Sequence, residues 1–272
     1  MKVWVLGSGS KGNAVLLECG ASRVLVDAGF PIRDLAARLT AIGIAPQSIE
    51  AALLTHEHTD HVKGASAAAK RWGWSLLATE GTRRAVPGLA HVPVIAVSPE
   101  VKVTVGRFEL QVVGISHDAA EPVAVVATST ATGARAGICY DLGCVTEAVR
   151  RAFRELDVLV LEANHDEGML RAGPYPPSVC DRIAGRRGHL SNRAAAAMAR
   201  DAAHPDLNAV VLAHLSESCN DDRVAAAAVS EGLAGTRFRG KVDVAPQHAV
   251  IGPFLPRLAR RAPRVQQLAL GL

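Results

Sequence analysis

The densest group of metal-binding residue types lies in one short stretch, where His56, His58, Asp60 and His61 fall within six consecutive positions. The stretch follows an apolar run, residues 51–54, that we predict as a buried strand. Because side chains alternate along an extended chain, His56 and His58 project to the same side and can share one ion. Asp60 and His61 lie where the chain turns into the next helix, and that turn can direct them toward a second ion. Since imidazole and carboxylate ligands suit zinc, and also manganese or iron, the stretch predicts a divalent metal site.

A glycine-rich loop, residues 7–12, reads G-x-G-x-x-G after a predicted strand. This pattern marks a dinucleotide site only where a helix follows, because the helix N-terminus must meet the pyrophosphate. Residues 13–19 instead have the pattern of a strand. We therefore predict a turn loop whose backbone amides, together with Lys11, line the mouth of a site and contact phosphate.

The composition is that of an ordinary globular protein, with 272 residues, 49% hydrophobic and 21% charged. The formal net charge of +4 permits an anionic partner, whereas 4% aromatic residues leave little material for stacking bases. The five cysteines form no C-x-x-C pair, which argues against a disulfide framework and favours a reducing compartment. With no signal-peptide core and no membrane-length apolar run, we predict a cytoplasmic protein.

Strands lead in both halves of the chain and helices are interspersed, without a linker between the halves. This order predicts one α/β domain, residues 1–272, with two packed sheets, helices outside them and a loosely packed tail over about 253–272. The predicted strands are 2–6, 14–19, 23–26, 51–54, 75–78, 101–105, 108–115, 123–130, 134–140, 157–161 and 209–213. The predicted helices are 31–39, 62–72, 146–154, 177–187, 191–203 and 221–233.

The stretch that ends at His61 matches H-x-H-x-D-H, the signature of the metallo-β-lactamase-fold hydrolases, residue for residue. Asp27, at the end of a predicted strand, matches a further aspartate expected in that family. The chain therefore resembles this family, which implies a four-layer αββα sandwich. In such proteins Asp27 would support the ligands from behind and would not itself bind metal.

The resemblance continues along the chain, where His117, Asp141 and His214 each follow a predicted strand. It implies two divalent metal ions, zinc or manganese with iron as an alternative. Each ion would have three ligands of its own, and one carboxylate would be shared. The first ion would be held by His56, His58 and His117, and the second by Asp60, His61 and His214, with Asp141 between them.

Residues beside these ligands favour one branch of the family. The sequence after His117 lacks the small turn of thioesterase-like and glyoxalase-like members, and His58 is not the glutamate of flavodiiron members. True β-lactamases commonly carry cysteine at the position of Asp141. Only 72 residues separate Asp141 from His214, too few for the inserted domain of the large nucleic-acid processing members.

The chain most resembles the compact YycJ/WalJ-like branch, with tRNA 3′-processing endonucleases as more distant relatives. The segments that carry this likeness are 7–13, 116–118, 161–166, 188–192 and 213–216. The resemblance implies a metal-dependent DNA nuclease, with 5′-to-3′ exonuclease activity, whose nucleophile is a hydroxide bridging two ions about 3.5–4 Å apart. Asp60 would orient the attacking water or accept its proton.

Further residues near these segments receive roles, that of His189 from the same resemblance. His189 would contact the scissile phosphate or protonate the leaving group, and His165 would support the metal cluster or fix its own loop, with Glu162 or Asp166 as partner. We expect substrate contacts from Lys11, Asn13, Ser216 and Arg187. Arg182, Arg186 and Arg193 flank His189 in sequence and would either follow a DNA backbone or form a solvated helix face.

Three other functions fit the same metal ligands. One is a phosphodiesterase of small molecules or cyclic nucleotides, and another is a nuclease that processes tRNA or other RNA. The third is a non-catalytic regulatory protein that the metals only stabilise. His91, His204 and His248 belong to no motif, and we predict structural roles for them.

Overall fold

The computed structural model describes residues 1–99 and 101–257. In this part of the chain the strands are β1 (Lys2–Gly7), β2 (Ala14–Cys19), β3 (Ser22–Val26), β4 (Ala51–Leu53), β5 (Ser75–Ala78), β6 (Val94–Ala96), β7 (Val103–Val105), β8 (Phe108–Gly114), β9 (Val123–Ser129), β10 (Arg135–Cys139), β11 (Val158–Glu162), β12 (Ala209–Ala213), β13 (Lys241–Val244) and β14 (Ile251–Phe254). The helices are α1 (Ile32–Ala41), α2 (Thr59–Val62), α3 (Ala65–Trp72), α4 (Glu80–Ala85), α5 (Glu147–Ala152), α6 (Glu167–Ala172), α7 (Pro177–Ala184), α8 (Asn192–Ala202) and α9 (Asp222–Leu233).

Two seven-stranded sheets pack face to face, in the orders β14-β1-β2-β3-β4-β5-β6 and β13-β12-β11-β10-β9-β8-β7. Each sheet is antiparallel in one half and parallel in the other. The parallel runs are β3 to β6 and β10 to β13. Parallel strands end at the same edge of a sheet, and that edge is where α/β folds place their ligand sites.

The two faces of each sheet have separate cores, as the alternation of side chains requires. In β2, Val15 and Leu17 pack between the sheets, whereas Leu16 packs on the side of α1 and α3. In β11, Val160 lies between the sheets and Leu161 lies under α8 and α9. Helices therefore cover both outer faces, and the predicted four-layer αββα sandwich is confirmed.

The predicted helix over residues 62–72 is wrong in its boundaries, since the structure has two helices, α2 and α3, separated near Gly64. The Gly64 backbone N–H donates to the Ala28 carbonyl at 2.8 Å. A Cβ at position 64 would also collide with the carbonyl oxygen of Phe30. The chain approaches the end of β3 so closely here that the helix is interrupted, a tertiary constraint that helical periodicity does not carry.

Several short elements lie outside the predicted ones, namely β6, α4, α6, β13 and β14. Three of them are strands of three or four residues near the edges of the sheets, too short for a clear alternating pattern. No helix within residues 1–99 and 101–257 is both long enough and apolar enough to span a bilayer.

The predicted loose tail is wrong for its first residues. Ile251–Phe254 forms β14, which pairs antiparallel with β1 through Val3 with Phe254 and Val5 with Ile251. Pairing with β1 supplies the main-chain partners that the sequence pattern did not reveal. The predicted tail from residue 258 onward lies outside the described residues.

Candidate metal centre

The seven predicted ligands converge at one edge of the sandwich. His56 follows β4, Asp141 follows β10 and His214 follows β12, each at the carboxyl end of a parallel strand. The ligand atoms form four overlapping groups, within each of which the atoms lie no more than 4.8 Å apart. These groups are His56, His58 and His117; Asp60, His61 and His214; His56, His61 and Asp141; and Asp141, Glu162, His189 and His214.

The first group occupies an extended segment and the loop after β8. His58 has extended dihedral angles, with φ −62° and ψ 146°. The imidazole rings of His56 and His58 lie side by side with centroids 4.6 Å apart, on the same side of the chain as predicted. His117 Nε2 lies 3.3 Å from His58 Nδ1. Three imidazoles therefore surround one point, which is the geometry expected for three ligands of one ion.

The second group begins in the first turn of α2. His61 Nε2 lies 3.3 Å from Asp60 Oδ2, and His214 Nε2 lies 3.4 Å from the same oxygen. Asp141 reaches toward both groups, since its Oδ2 lies 2.8 Å from His61 Nε2 and 3.8 Å from His56 Nε2. Its position between the groups is the one predicted for the shared carboxylate.

The Nδ1 atoms of three of the histidines lie within hydrogen-bond distance of acceptor oxygens. His61 Nδ1 lies 2.7 Å from Asp27 Oδ2, and His117 Nδ1 lies 3.1 Å from the Gly188 carbonyl. His56 Nδ1 lies 3.1 Å from the hydroxyl of Thr55, which itself donates to Asp27. A neutral imidazole that donates from Nδ1 carries its lone pair on Nε2, so these contacts orient the lone pairs toward the centre.

Lone pairs and carboxylate oxygens therefore face one another, an arrangement that repels unless a cation lies between them. Two of the buried atoms that face the centre, His56 Nε2 and Asp141 Oδ2, have no hydrogen-bond partner among the described residues. The short approach of His61 Nε2 to Asp141 Oδ2 does not have hydrogen-bond geometry. Buried unpaired polar atoms cost free energy, and a divalent cation would satisfy both, so the donor set fits metal.

The backbone at the strand ends is strained. Asp27, Asp141 and His214 have φ of 61°, 55° and 53°, and Glu155 is the remaining non-glycine residue with positive φ in the described part of the chain. Each such conformation costs about 1–3 kcal/mol and persists where surrounding structure imposes it. Three of the four strained residues lie at the centre, which marks it as the functional part of the fold.

The electrostatic balance of the centre favours a cation. Burial raises the pKa of Asp141, but His214 and His61 outweigh it and hold the pKa well below its usual range. Burial lowers the pKa of His61, but Asp141 and Asp27 outweigh it and raise the pKa well above normal. The buried carboxylates of Asp141 and Asp27 stabilise positive charge at His61. The same negative charge would stabilise a metal ion at the centre.

Asp27 is buried, and it contacts the set of predicted ligands through His61. Its Oδ1 accepts from the Thr55 backbone at 2.7 Å, and its Oδ2 accepts from the Thr55 hydroxyl at 2.8 Å. These contacts fit the predicted supporting role, because they fix both the end of β4 and the tautomer of His61.

We expect Asp27→Asn to lower metal affinity by about 10–100-fold, the usual cost of removing an outer partner of a ligand. Asparagine tolerates positive φ, so the substitution removes the charge and leaves the backbone in place. A metal titration of the apoprotein against a chelator measures the change, with Asp34→Asn on α1 as the matched control. Equal affinity in the Asp27 variant and the control would contradict the supporting role.

Glu162 is a site residue that the sequence analysis placed wrongly, as a possible partner of His165. It is buried at the end of β11, where its Oε1 lies 2.8 Å from His189 Nδ1 and 3.2 Å from His214 Nδ1. Its Oε2 accepts from the backbone of Leu142 and Leu190. Burial raises its pKa, but His189 and the hydrogen bonds outweigh burial and hold the pKa at about 2. The signal was its strand-end position, which it shares with Asp27 and Asp141.

His189 lies beside the ligands. Its Nδ1 is 2.8 Å from Glu162 and 3.2 Å from Asp141 Oδ1. Burial lowers its pKa, but the two carboxylates outweigh burial and raise the pKa to about 10. With His58, His117, Asp141 and His214 it lines a cavity of about 250 Å³. We call this space the metal cavity; His189 lines it beside the predicted ligands without being one of the seven.

The prediction that Asn13 contacts substrate is corrected by its position. Asn13 is fully buried; its Oδ1 accepts from Ser8 and Gly9, and its Nδ2 lies 3.3 Å from Asp60 Oδ2. It therefore joins the glycine loop to the second ligand group. Ser216 is half-buried; its hydroxyl accepts from the Cys219 backbone at 3.2 Å, and it is not among the residues that line the metal cavity.

Lys11 and Arg187 are both exposed, as substrate contacts require. The Lys11 ammonium pairs with Glu217 at 2.8 Å, next to Ser10 at the cavity wall. Arg187 lines the metal cavity, and its Nε donates to the His117 carbonyl at 3.3 Å.

The neighbouring arginines divide into two groups. Arg182 lines the metal cavity and lies 3.7 Å from Asp118. Arg193 instead pairs with Glu167, and Arg186 accepts at its backbone carbonyl from Ser116. Arg182 and Arg187 are thus the two members of this arginine-rich segment that line the metal cavity.

His165 does not have the partners predicted for it. Glu162 binds His189 and His214, and Asp166 caps α6 by accepting from Gly168 and Met169. His165 is buried, forms a single β-bridge with Ser191, and its Nδ1 has no hydrogen-bond partner among the described residues. It lines a second cavity, which is also lined by His189.

Comparisons with known proteins show which family and which relatives this chain is similar to. Residues 22–215 match the family model of the Beta-lactamase superfamily domain. The chain is 32% identical over 239 residues to exodeoxyribonuclease YycJ of Bacillus anthracis, covering 86% of this chain and 89% of that protein. It is 31% identical over 249 residues to exodeoxyribonuclease WalJ of Streptococcus pneumoniae, covering 89% and 91%. Among solved structures, the metallo-β-lactamase fold protein YhfI of Bacillus subtilis superposes with a TM-score of 0.69 at 20% identity, over 92% of this chain and 98% of that one.

Proposed function

The chain belongs to the β-lactamase superfamily, whose fold and metal-ligand pattern it has, and we propose that it is a dinuclear metal-dependent phosphodiesterase that degrades DNA from the 5′ end. The observation that carries the proposal is the pair of three-residue ligand groups with Asp141 between them. The exodeoxyribonuclease names of relatives that align over most of the chain support DNA as the substrate. The five cysteines are all free thiols, which supports the predicted cytoplasmic location.

The group of His56, His58 and His117 and the group of Asp60, His61 and His214 would each hold one divalent ion. Bound there, the ions would lower the pKa of a water molecule and neutralise the charge that develops on a phosphodiester. The chain's own contribution is to fix the ligand rings through Thr55, Asp27 and the Gly188 carbonyl, so that they do not reorganise during the reaction. Asp60, at the cavity wall, would orient the attacking water.

His189 would supply the proton that the leaving oxygen needs. Its Nδ1 lies 2.8 Å from Glu162, whose negative charge raises the pKa of His189 and favours the protonated ring, and His189 lines the cavity that would receive the phosphate. Glu162 fixes the ring through Nδ1, and this contact leaves Nε2 as the donor toward substrate.

Arg187 would hold the DNA backbone at the rim of the metal cavity. We expect Arg187→Ala to raise the KM for DNA several-fold and to reduce the slope of affinity against salt by about 1, because one phosphate contact is lost. Titrations of DNA hydrolysis at several salt concentrations measure both effects. Arg33→Ala, on an exposed face of α1, is the control and leaves the slope unchanged. An unchanged slope in the Arg187 variant would remove this residue from the DNA path.

Turnover of labelled substrates by protein reconstituted with Mn²⁺ or Zn²⁺ tests the proposal. DNA, RNA of the same sequence and bis(p-nitrophenyl) phosphate are compared at equal concentration. We expect DNA to be hydrolysed fastest by at least an order of magnitude, because binding energy from remote contacts is used at the reacting centre. If RNA or the small phosphodiester were hydrolysed faster, that compound and not DNA would be the preferred substrate. Hydrolysis of none of them would contradict a phosphodiesterase.

A further inference from the structure

A second cavity of about 300 Å³ adjoins the metal centre, and His189 lines both cavities. Helix α7 forms the wall between them. Its Val179, Arg182 and Ile183 line the metal cavity, whereas Cys180 and Ala184 line the second cavity. Consider a nucleotide whose phosphate lies among the metal ligands. The group that adjoins this phosphate would lie beside His189, at the second cavity.

The walls of the second cavity are mixed: Leu170, Ala184 and Leu190 supply apolar surface, and polar or charged side chains supply nearly as much polar surface. Among the polar groups of this cavity, Ser191 donates to Glu167 at 3.2 Å, and His165 lies beside its bridge partner Ser191. The Nδ1 atom of buried His165 has no hydrogen-bond partner among the described residues. A cavity that combines apolar surface with hydrogen-bonding groups, one of them unsatisfied, suits a flat ligand with apolar faces and polar edges.

The charges that line the second cavity nearly balance, since Glu167 and Asp181 are accompanied by Arg171 and His189. Burial lowers the pKa of His165, which also lines it. The second cavity therefore has no excess of cations to hold another phosphate. A nucleotide would place its phosphate among the metal ligands, on the side of Arg182 and Arg187, and its uncharged part on the side of Leu170.

We propose that the second cavity binds the nucleobase of the nucleotide whose phosphate lies at the metal centre. The inference rests on the proposed function, because it takes the phosphodiester to lie among the metal ligands. The volume of about 300 Å³ is at the lower end of the range of small-molecule sites, roughly 300–1,000 Å³, which suits one base and excludes a duplex. His165 and Glu167 would meet the polar edge of the base, and Leu170 and Ala184 its faces.

Filling the cavity tests the proposal. Ala184 is exposed at the last position of α7, so Ala184→Phe adds a ring to the cavity without disturbing a core. We expect kcat/KM on single-stranded DNA to fall about ten-fold or more, since small changes of fit in an apolar pocket have effects of that size. On a strand whose 5′-terminal nucleotide is an abasic tetrahydrofuran, the variant and the wild type should be equal. Ala227→Phe, exposed on α9, is the matched control and changes neither rate.

A binding measurement separates this proposal from the proposed function. Calorimetry of the wild-type protein with deoxyadenosine monophosphate and with deoxyribose 5-phosphate should give at least about ten-fold tighter binding of the nucleotide, and Ala184→Phe should remove the difference. Equal binding of the two ligands by the wild type, or equal loss of activity on normal and abasic strands, would overturn the base site. A preference for the nucleotide in a protein that hydrolyses no DNA would instead contradict only the nuclease function.

Discussion

Replacing His58 by alanine is expected to lower DNA hydrolysis by about a thousand-fold or more. The metal ions supply several kcal/mol of transition-state stabilisation, and each 1.4 kcal/mol corresponds to a factor of ten. His58 is half-buried and its ring contacts the rings of His56 and His117, so its loss removes a ligand and little packing. The thermal midpoint of the apoprotein should therefore stay near that of the wild type.

Elemental analysis of the His58→Ala variant should show the loss of one metal equivalent per chain, with the second group still occupied. The matched control is His91→Ala, an exposed histidine outside the cluster, which should retain both metals and full activity. Wild-type turnover by the His58 variant would contradict the ligand assignment. A variant that lost activity and kept both metals would place His58 on the substrate instead.

Replacing His189 by alanine is expected to lower kcat by about 10²–10⁴-fold, the usual contribution of a positioned acid or base. The metals should remain bound, because His189 belongs neither to the group of His56, His58 and His117 nor to the group of Asp60, His61 and His214. Its loss leaves Glu162 with the contacts to His214, Leu142 and Leu190, so the buried carboxylate stays paired.

The leaving group distinguishes proton donation from a purely structural role for His189. A p-nitrophenyl ester of a nucleotide needs no proton on departure, so the alanine variant should lose far less activity on it than on DNA. An equal loss on both substrates would contradict a proton donor and favour a contact to the phosphate. Asn192→Ala is a suitable control, since this buried residue of α8 pairs with Asn220 and touches neither cavity.

Much of the site was predictable because its ligands sit on a regular framework. H-x-H in an extended segment places two imidazoles side by side, and the strand-end positions of Asp141 and His214 place them at the same edge. The first feature follows from alternation along an extended chain, and the second follows from the resemblance to the family. The sequence thus predicted the four layers and the convergence of the ligands.

Other features depend on contacts between distant segments and were beyond such reasoning. Glu162 ends an apolar run and acquires its role only when β11 lies beside β10 and β12. The side chain of Asn13 turns inward because the loop after β1 packs against the turn at Asp60, a contact between segments 47 residues apart. The break near Gly64 arises from the same crowding, where Gly64 meets the end of β3.

The most direct test of the account is the order in which products appear from a DNA strand labelled at its 5′ end, using protein of measured metal content. With two equivalents of Mn²⁺ or Zn²⁺ per chain, the label should appear first in a mononucleotide, and removal of the metals by a chelator should stop its release. If the metal-loaded protein released the label only in long DNA fragments, the result would contradict a 5′ exonuclease. No hydrolysis by the loaded protein would contradict the assignment of the centre to phosphodiester cleavage.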